Sequence, residues 1–373
     1  MRSLVYQVLI LGIIGAGVWY LVSNTLNNLA VRNISTGFGF LHQEAGFAIG
    51  ESMVEYRPAD TYGRAIWVGL INTLRVSVVG IIAATLFGTL LGIARLSKNW
   101  LLSRVASTYI EVMRNIPLLL QLFFWYAIIT ESMPGPRQAL NPVTGVFISN
   151  RGLKLPSLQG DALDWMLAGL AVAIVVTLVV AHWAKKRQEA TGAIFPLVRV
   201  ALALIVALPL MAWLVSGAPL TIELPALTGF NFTGGISMSP EFTALLAGLI
   251  LYTSAFVAEV VRSGIQSVNR GQWEAAEAIG LSRARLLRLV VLPQALRVIV
   301  PPMTSQYLNL TKNSSLAVAI GYPDIVSIVN TTLNQTGQAI EGILIIMAAY
   351  LSVSLSISIF MNWYNKRIAL VER

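Results

Sequence analysis

Eight apolar stretches, each of about twenty to thirty residues, constrain the fold of this 373-residue chain more than any other feature. They run roughly over 4–22, 65–94, 106–130, 164–184, 194–215, 242–262, 298–320 and 340–363. A hydrocarbon core about 30 Å thick is crossed by a helix of about 20 apolar residues, whose backbone N–H and C=O groups all pair within the segment. A transmembrane barrel would show short alternating segments instead. Composition agrees, since 56% of residues are hydrophobic and 12% charged, against about 25% charged in a soluble domain. The expected fold class is an all-α integral membrane protein with about 8 transmembrane helices. The first stretch follows Arg2 and runs through 19 uncharged residues. A signal-peptide core has about 7–15, so it reads as an uncleaved helix.

Lysine and arginine in the connections set the orientation. With a cytoplasmic N-terminus, the inner segments hold sixteen, in groups around Arg2, Arg95 to Arg104, Lys185 to Arg187, Arg262 to Arg297, and Lys366 to Arg373. The outer segments hold six: Arg32, Arg57, Arg64, Arg137, Arg151 and Lys154. Eight helices with both termini cytoplasmic satisfy this bias. The net charge of +9 therefore follows topology and makes no nucleic-acid patch. The outer connections 131–163 and 216–241 are rich in Pro, Gly and Asn and read as ordered loops or short interfacial pieces.

Several chemistries are excluded. With no cysteine there is neither a disulfide nor a thiolate site, and two histidines, His42 and His182, leave a histidine metal centre without ligands. No His-Glu-x-x-His pattern and no phosphate loop of the Gly-x-x-x-x-Gly-Lys-Ser/Thr type is present.

Between the sixth and seventh stretches lies GIQSVNRGQWEAAEAIGLSRARLLRLVVLPQALRVIVPP. Asn269 with Gln272 three residues on predicts a capped start for a short helix, Trp273 to Ile279, which Gly280 ends in a left-handed cap. Ser282 is expected to cap a second helix that runs to Pro293, with Leu286, Leu287, Val290 and Val291 on one face. An interfacial hairpin explains the arginines. The run Glu274, Ala275, Ala276, then Gly280 fits a smooth surface that slides into a cleft of another protein, with Glu274 paired to a base there.

The spacing Glu274, Ala275, Ala276, Gly280, Val290, Leu292, Pro293 resembles the Glu-Ala-Ala loop of permease subunits in bacterial ATP-binding cassette importers; Val290 stands where Ile is commoner. RNIPLLLQ, with Arg114, Pro117 and Gln121, is similar to the Arg-x-x-Pro-x-x-x-Gln signature of polar amino-acid permeases of the histidine and glutamine type. LTKNSSL, with Lys312, Ser314 and Ser315, is similar to their Lys-Asp/Asn-Thr/Ser-Ser-Leu stretch. The length and the added helices look most like the Q-type subunit of general L-amino acid importers. This resemblance implies a type I importer core of 5 helices plus extra ones. It divides the chain into 1–64 (first helix and periplasmic segment), 65–130 (first part of the core), 131–240 (inserted loops and two extra helices) and 241–373 (second part, with the coupling loop at 263–300).

The resemblance also implies a function: moving L-amino acids from periplasm to cytoplasm across the bacterial inner membrane by alternating access. The chain would hold no cofactor. ATP and magnesium would be bound by a partner ATPase, coupled through Glu274, Ala275, Ala276 and Gly280. A second permease subunit, expected to be non-identical, and a periplasmic amino-acid-binding protein complete the assembly. The alternative class, an ion-coupled secondary transporter, usually shows internal repeats and paired midplane acids, and neither is evident.

Polar residues inside the stretches are candidates for the substrate pathway, because charge in lipid normally faces a cavity or a partner. Arg75, with Asn72 one turn away and Thr73 nearby, either meets the substrate carboxylate or snorkels to the outer interface. Lys312, among Thr311, Asn313, Ser314 and Ser315, either lines a cavity or pairs with a helix such as that bearing Glu259. Gln121 joins this set, whereas Glu111 and Arg114 read as structural or gating residues. Gly88 and Gly92 form a small-xxx-small pair suited to close helix contact.

Overall fold

The computed structural model describes residues 2–31, 36–159, 162–193, 195–217 and 221–368. Arg32 and Arg373, two of the charges counted for topology, lie outside them. The chain divides into two compact units, one of Met1–Ala127 with Glu241–Arg373 and one of Ile128–Pro240. Among the described residues, seven helices are long and apolar enough to span a membrane, and a bent pair makes an eighth.

In the first unit, α1 (Arg2–Val31) is a 30-residue helix whose described apolar side chains are exposed almost throughout, the signature of a helix surrounded by lipid. Helix α2 (Tyr62–Arg95) starts at Thr61, whose side chain accepts from the Arg64 amide. Its buried face recurs at three- and four-residue spacing through Ala65, Val68, Asn72, Val76, Gly80, Ala84, Gly88 and Gly92. A β-carbon at Gly88 would lie 2.6 Å from Val257 Cβ and 2.7 Å from the Ser254 carbonyl oxygen; one at Gly92 would lie 2.7 Å from the Ala258 carbonyl oxygen. Both glycines thus let α2 press onto the backbone of α7 (Pro240–Gln266), as their spacing suggested.

The third stretch is not one straight helix. It is α3 (Trp100–Asn115) and α4 (Leu118–Ala127), whose axis turns by 104° at the break. Pro117 has no N–H to donate and forces Ile116 into extended backbone (φ −95°, ψ 126°), so the ladder cannot continue. The other elements of this unit are α8 (Arg270–Ala278), α9 (Arg283–Leu286), α10 (Leu292–Asn313), α11 (Ile325–Thr336) and α12 (Ala339–Ile368). The helix expected from Ser282 to Pro293 does not end there. A π-helical turn, Leu287–Val291, joins α9 to α10, and Pro293, which has no N–H to donate, sits in the first turn of α10 directly after it. Helix α10 tightens into a 3₁₀ segment, Ser314–Ile320, and stops at Gly321 in the left-handed conformation.

The second unit holds α5 (Ala162–Thr191) and α6 (Leu197–Ser216), packed closely where a β-carbon at Gly169 would lie 2.8 Å from the Leu208 carbonyl oxygen. Its connections are more regular than the expected loops. Among the described residues eight short strands form, and four of them pair antiparallel in the order β1 (Leu140–Val143), β2 (Val146–Ser149), β3 (Gly152–Leu155), β8 (Ile236–Met238). Gly145 and Gly152 adopt positive φ at the turns, and a β-carbon at Gly152 would collide with the Met238 carbonyl oxygen at 2.1 Å. The fold is mainly helical with this small sheet addition, and strands of three or four residues leave almost no periodic trace in a sequence.

Candidate coupling and translocation site

Helix α8 is capped where its sequence suggested, but it begins at Arg270, three residues before the expected Trp273, and ends at Ala278. Asn269 Oδ1 accepts from the Gly271 amide at 2.8 Å and closes its first turn. At the other end Gly280 (φ +76°) donates to the Glu277 carbonyl and Leu281 to the Ala276 carbonyl, the paired bonds of a Schellman cap. The second half of the capping box is absent among the described residues, where Gln272 Oε1 instead accepts from Gln294 Nε2 at 3.5 Å. The faces of α8 differ from a uniform alanine surface. Ala276 is buried with Leu286 and Val291, and Trp273 packs beside them. Gln272, Glu274, Ala275, Glu277, Ala278 and Ile279 face outward, Ile279 with 77% of its surface exposed. Ala276 therefore seats the helix on its base, whereas Glu274 and Ala275 are presented. Gly280 is exposed as well.

Above this base, Glu259 on α7 is held by Arg95 Nη1 at 2.6 Å and by the guanidinium of Arg262. Lys312 is thus not its partner. Glu111 stands 3.8 Å from Arg95, and Arg114 lies over the Phe256 ring at 5.2 Å, so both belong to the packing between α3 and its neighbours.

Gln121 turns out to brace the bend. Its Nε2 donates to the carbonyls of Met113 and Ile116, each at 3.0 Å, which are among those that the break at Pro117 strips of helical partners. The Arg-x-x-Pro-x-x-x-Gln spacing has a mechanical meaning here: Pro117 breaks the helix, and Gln121, one turn later, reaches back to satisfy it.

Arg75 does not snorkel to the outer interface but is paired within the fold. Its Nη1 donates to Glu51 Oε1 at 2.5 Å, both side chains are largely buried, and the guanidinium lies 4.0 Å from the Phe242 ring centroid. Asn72 Nδ2 donates to the carbonyls of Glu51 and Pro323, and Thr73 Oγ1 accepts from the Ile325 amide. These residues lock the 43–61 segment and the 321–324 turn onto α2. Asp324, fully buried, caps α11 by accepting from the Ser327 amide at 2.8 Å, and burial pushes its carboxyl up to about 7. Glu51 carried no periodic signal and was missed. Asp324, after a proline and before an apolar run, was legible as a helix cap.

The remaining candidates lie on α10 and the 3₁₀ segment that follows it. Ser314 is buried and donates to the Thr311 carbonyl at 2.7 Å; Ser315 is partly exposed and donates to the Lys312 carbonyl. Lys312 is exposed, and Ser305 and Asn309, which sequence reasoning passed over, are exposed at the same three- and four-residue spacing. This leaves a polar stripe, Ser305, Asn309 and Lys312, open on a spanning helix.

Residues 191–370 match the family model described as the inner membrane component of binding-protein-dependent transport systems. The whole chain is 50% identical to the general L-amino acid transport system permease protein AapQ of Rhizobium johnstonii, covering 93% of that protein. It is also 50% identical over its full length to the amino-acid transporter permease YhdX of Escherichia coli K12, covering 95% of it. With the glutamate/glutamine/aspartate/asparagine permease BztB of Rhodobacter capsulatus it shares 42% identity, again over the whole chain and 95% of the relative. A spanning bundle, a capped helix presented beside it, and full-length identity to such permeases lead to one conclusion: this chain belongs to the binding-protein-dependent permease family, as a transmembrane subunit of an ATP-binding cassette importer whose ATP is hydrolysed by a separate ATPase subunit.

Proposed function

We propose that α8 is the lever through which this subunit is driven, and that the substrate path runs along the polar stripe of α10. The observation that supports the first part is the geometry of α8: rigid caps at both ends, an inner face seated on Ala276 and Trp273, and an outer face of Gln272, Glu274, Ala275, Glu277 and Ile279. A cleft in the ATPase would take this outer face, with Glu274 meeting a basic residue there and ATP and magnesium held in that partner. Both termini then lie in the cytoplasm, in agreement with the lysine and arginine bias.

Ser305, Asn309 and Lys312 support the second part. Lipid penalises such a stripe, so water or a second subunit covers it. A second permease of similar length, non-identical, would close a path around Lys312 and Ser315, with the lysine meeting the carboxylate that every amino acid carries. The relatives are named for general L-amino acids and for glutamate, glutamine, aspartate and asparagine, and these are the substrates expected. Arg75, Asn72, Thr73, Gln121 and Ser314 take supporting positions around this path.

Co-expression with the ATPase and the second permease tests the reading. Glu274→Arg with Gly280→Trp should abolish ATPase co-purification and ATP-dependent uptake while the chain stays in the membrane. Unchanged uptake would end the lever assignment. Lys312→Met should leave the complex intact and remove uptake, and a fully active variant would take Lys312 off the path.

A further inference from the structure

A cavity of about 850 Å³ opens beside α8, between the end of α2, the start of α3, Ile265 of α7 and the α9 and π-helical segment. This lies within the roughly 300–1,000 Å³ of ligand pockets. Its walls are apolar, formed by Ile93, Leu102, Ile265, Leu287, Val291 and Leu292. Three cations, Lys98, Arg283 and Arg288, stand on it, and among the described residues no acidic one lines it. All three are exposed, and none has an ion-pair or hydrogen-bond partner among the described residues. Glu274 belongs to a neighbouring, smaller cleft that shares Leu96, Ile265 and Trp273.

Beside Lys98 the first turn of α3 exposes Trp100 and Leu101, at 76% and 63%. A tryptophan next to a basic residue at a helix end is the pattern of a membrane–water interface. Charge and wall together specify the occupant. A zwitterionic amino acid would leave its ammonium facing cations. Inorganic phosphate would use the cations and ignore the apolar wall. An amphiphile with an anionic head and hydrocarbon chains satisfies both, and basic pockets between helices on the cytoplasmic side bind such headgroups.

We propose that this cavity is a binding site for one anionic phospholipid of the cytoplasmic leaflet, its phosphate held by Lys98, Arg283 and Arg288 and its chains lying on Leu102, Leu287 and Leu292. The site rests on the assignment of α8 to the cytoplasmic face. The headgroup bridges the α2–α3 connection to the base of α8.

The test reads lipid retention, which is independent of whether α8 drives transport. The full chain, alone and in its complete complex, is delipidated in mild detergent, titrated with phosphatidylglycerol or phosphatidylcholine, and weighed by native mass spectrometry. Phosphatidylglycerol should be retained at least about 10-fold better. Lys98→Gln alone should lower its retention about 5-fold, the effect of one basic residue at an anionic surface. Lys98→Gln/Arg283→Gln/Arg288→Gln should remove the preference. Lys185→Gln/Lys186→Gln/Arg187→Gln, on α5 and outside the lining, should keep it. Equal retention of the two lipids by the unmodified chain overturns the proposal without any variant. So does an equal loss in the α5 variant, which would mean diffuse attraction. Displacement by millimolar inorganic phosphate would reassign the cations to a free anion, and loss of the lipid in the complete complex would assign the cavity to the ATPase.

Discussion

The Arg75–Glu51 pair gives the sharpest separation between a structural and a substrate-binding role. The two side chains are 14% and 11% exposed and 2.5 Å apart. At an effective dielectric of about 20, two charges 4 Å apart attract by about 4 kcal/mol, much of it offset by the cost of removing both from water. Removing one partner leaves the other charge's desolvation uncompensated, at about 3–5 kcal/mol. Arg75 would also lose its place over Phe242, 4.0 Å away, about 0.5–2 kcal/mol. Arg75→Met and Glu51→Gln should therefore each destabilise by about 3 kcal/mol or more, and the double variant by at least about 2 kcal/mol less than their sum. Thermal unfolding of the purified complex in detergent measures all three, at roughly 2 °C per kcal/mol. Additive losses would refute the pairing. Arg75→Met with unchanged stability and no uptake would return Arg75 to the substrate. Uptake that falls only in proportion to folded protein would confirm its holding role.

Gly280→Ala should strain the left-handed cap by about 1–2 kcal/mol, loosening α8 and lowering the ATPase fraction that co-purifies; an undiminished fraction would mean that the cap does not set the α8 surface. Gln121→Leu should remove both bonds that brace the bend, costing about 2 kcal/mol in detergent unfolding, and a neutral result would deny the brace. Asp324 supplies a pH dependence of known sign. Its carboxyl titrates at about 7 in the folded chain against the ordinary 3.8, so between these values the folded state binds more protons than the unfolded one. Stability should accordingly fall as pH rises from about 4 to about 7, by a few kcal/mol. Asp324→Asn, which can still cap α11, should flatten that slope in unfolding midpoints recorded from pH 5 to 8; an unchanged slope would place the titration elsewhere.

Much of the candidate coupling site was legible because it is local. Asn269, Gly280 and the alanines between them specify a short helix through caps that need only neighbours along the chain, and the structure forms both caps. Gly88 and Gly92 were legible for a similar reason, since small residues one turn apart on an apolar helix have few other uses. The polar residues of the spans were legible as unusual and illegible as to role. Arg75 could not be resolved because its partner, Glu51, lies 24 residues away in a segment with no periodicity. Gln121 looked like a pathway residue because nothing in RNIPLLLQ says that a glutamine will turn back along its own chain.

The sequence by itself determined that the chain lives in a membrane, roughly where it crosses, where its positive charges gather and which residues cap its presented helix. Hydrophobic length, charge bias and capping act over one turn or one bilayer thickness, so they are written in contiguous residues. Only the tertiary structure decided which side of α8 faces outward, that the third span is bent, that Glu259 belongs to Arg95 and Arg262 rather than Lys312, and that Arg75 is held while Lys312 stands open. Those outcomes depend on which distant groups reach bonding distance once the helices pack, and a charge in an apolar surrounding takes whichever partner the packing brings to it.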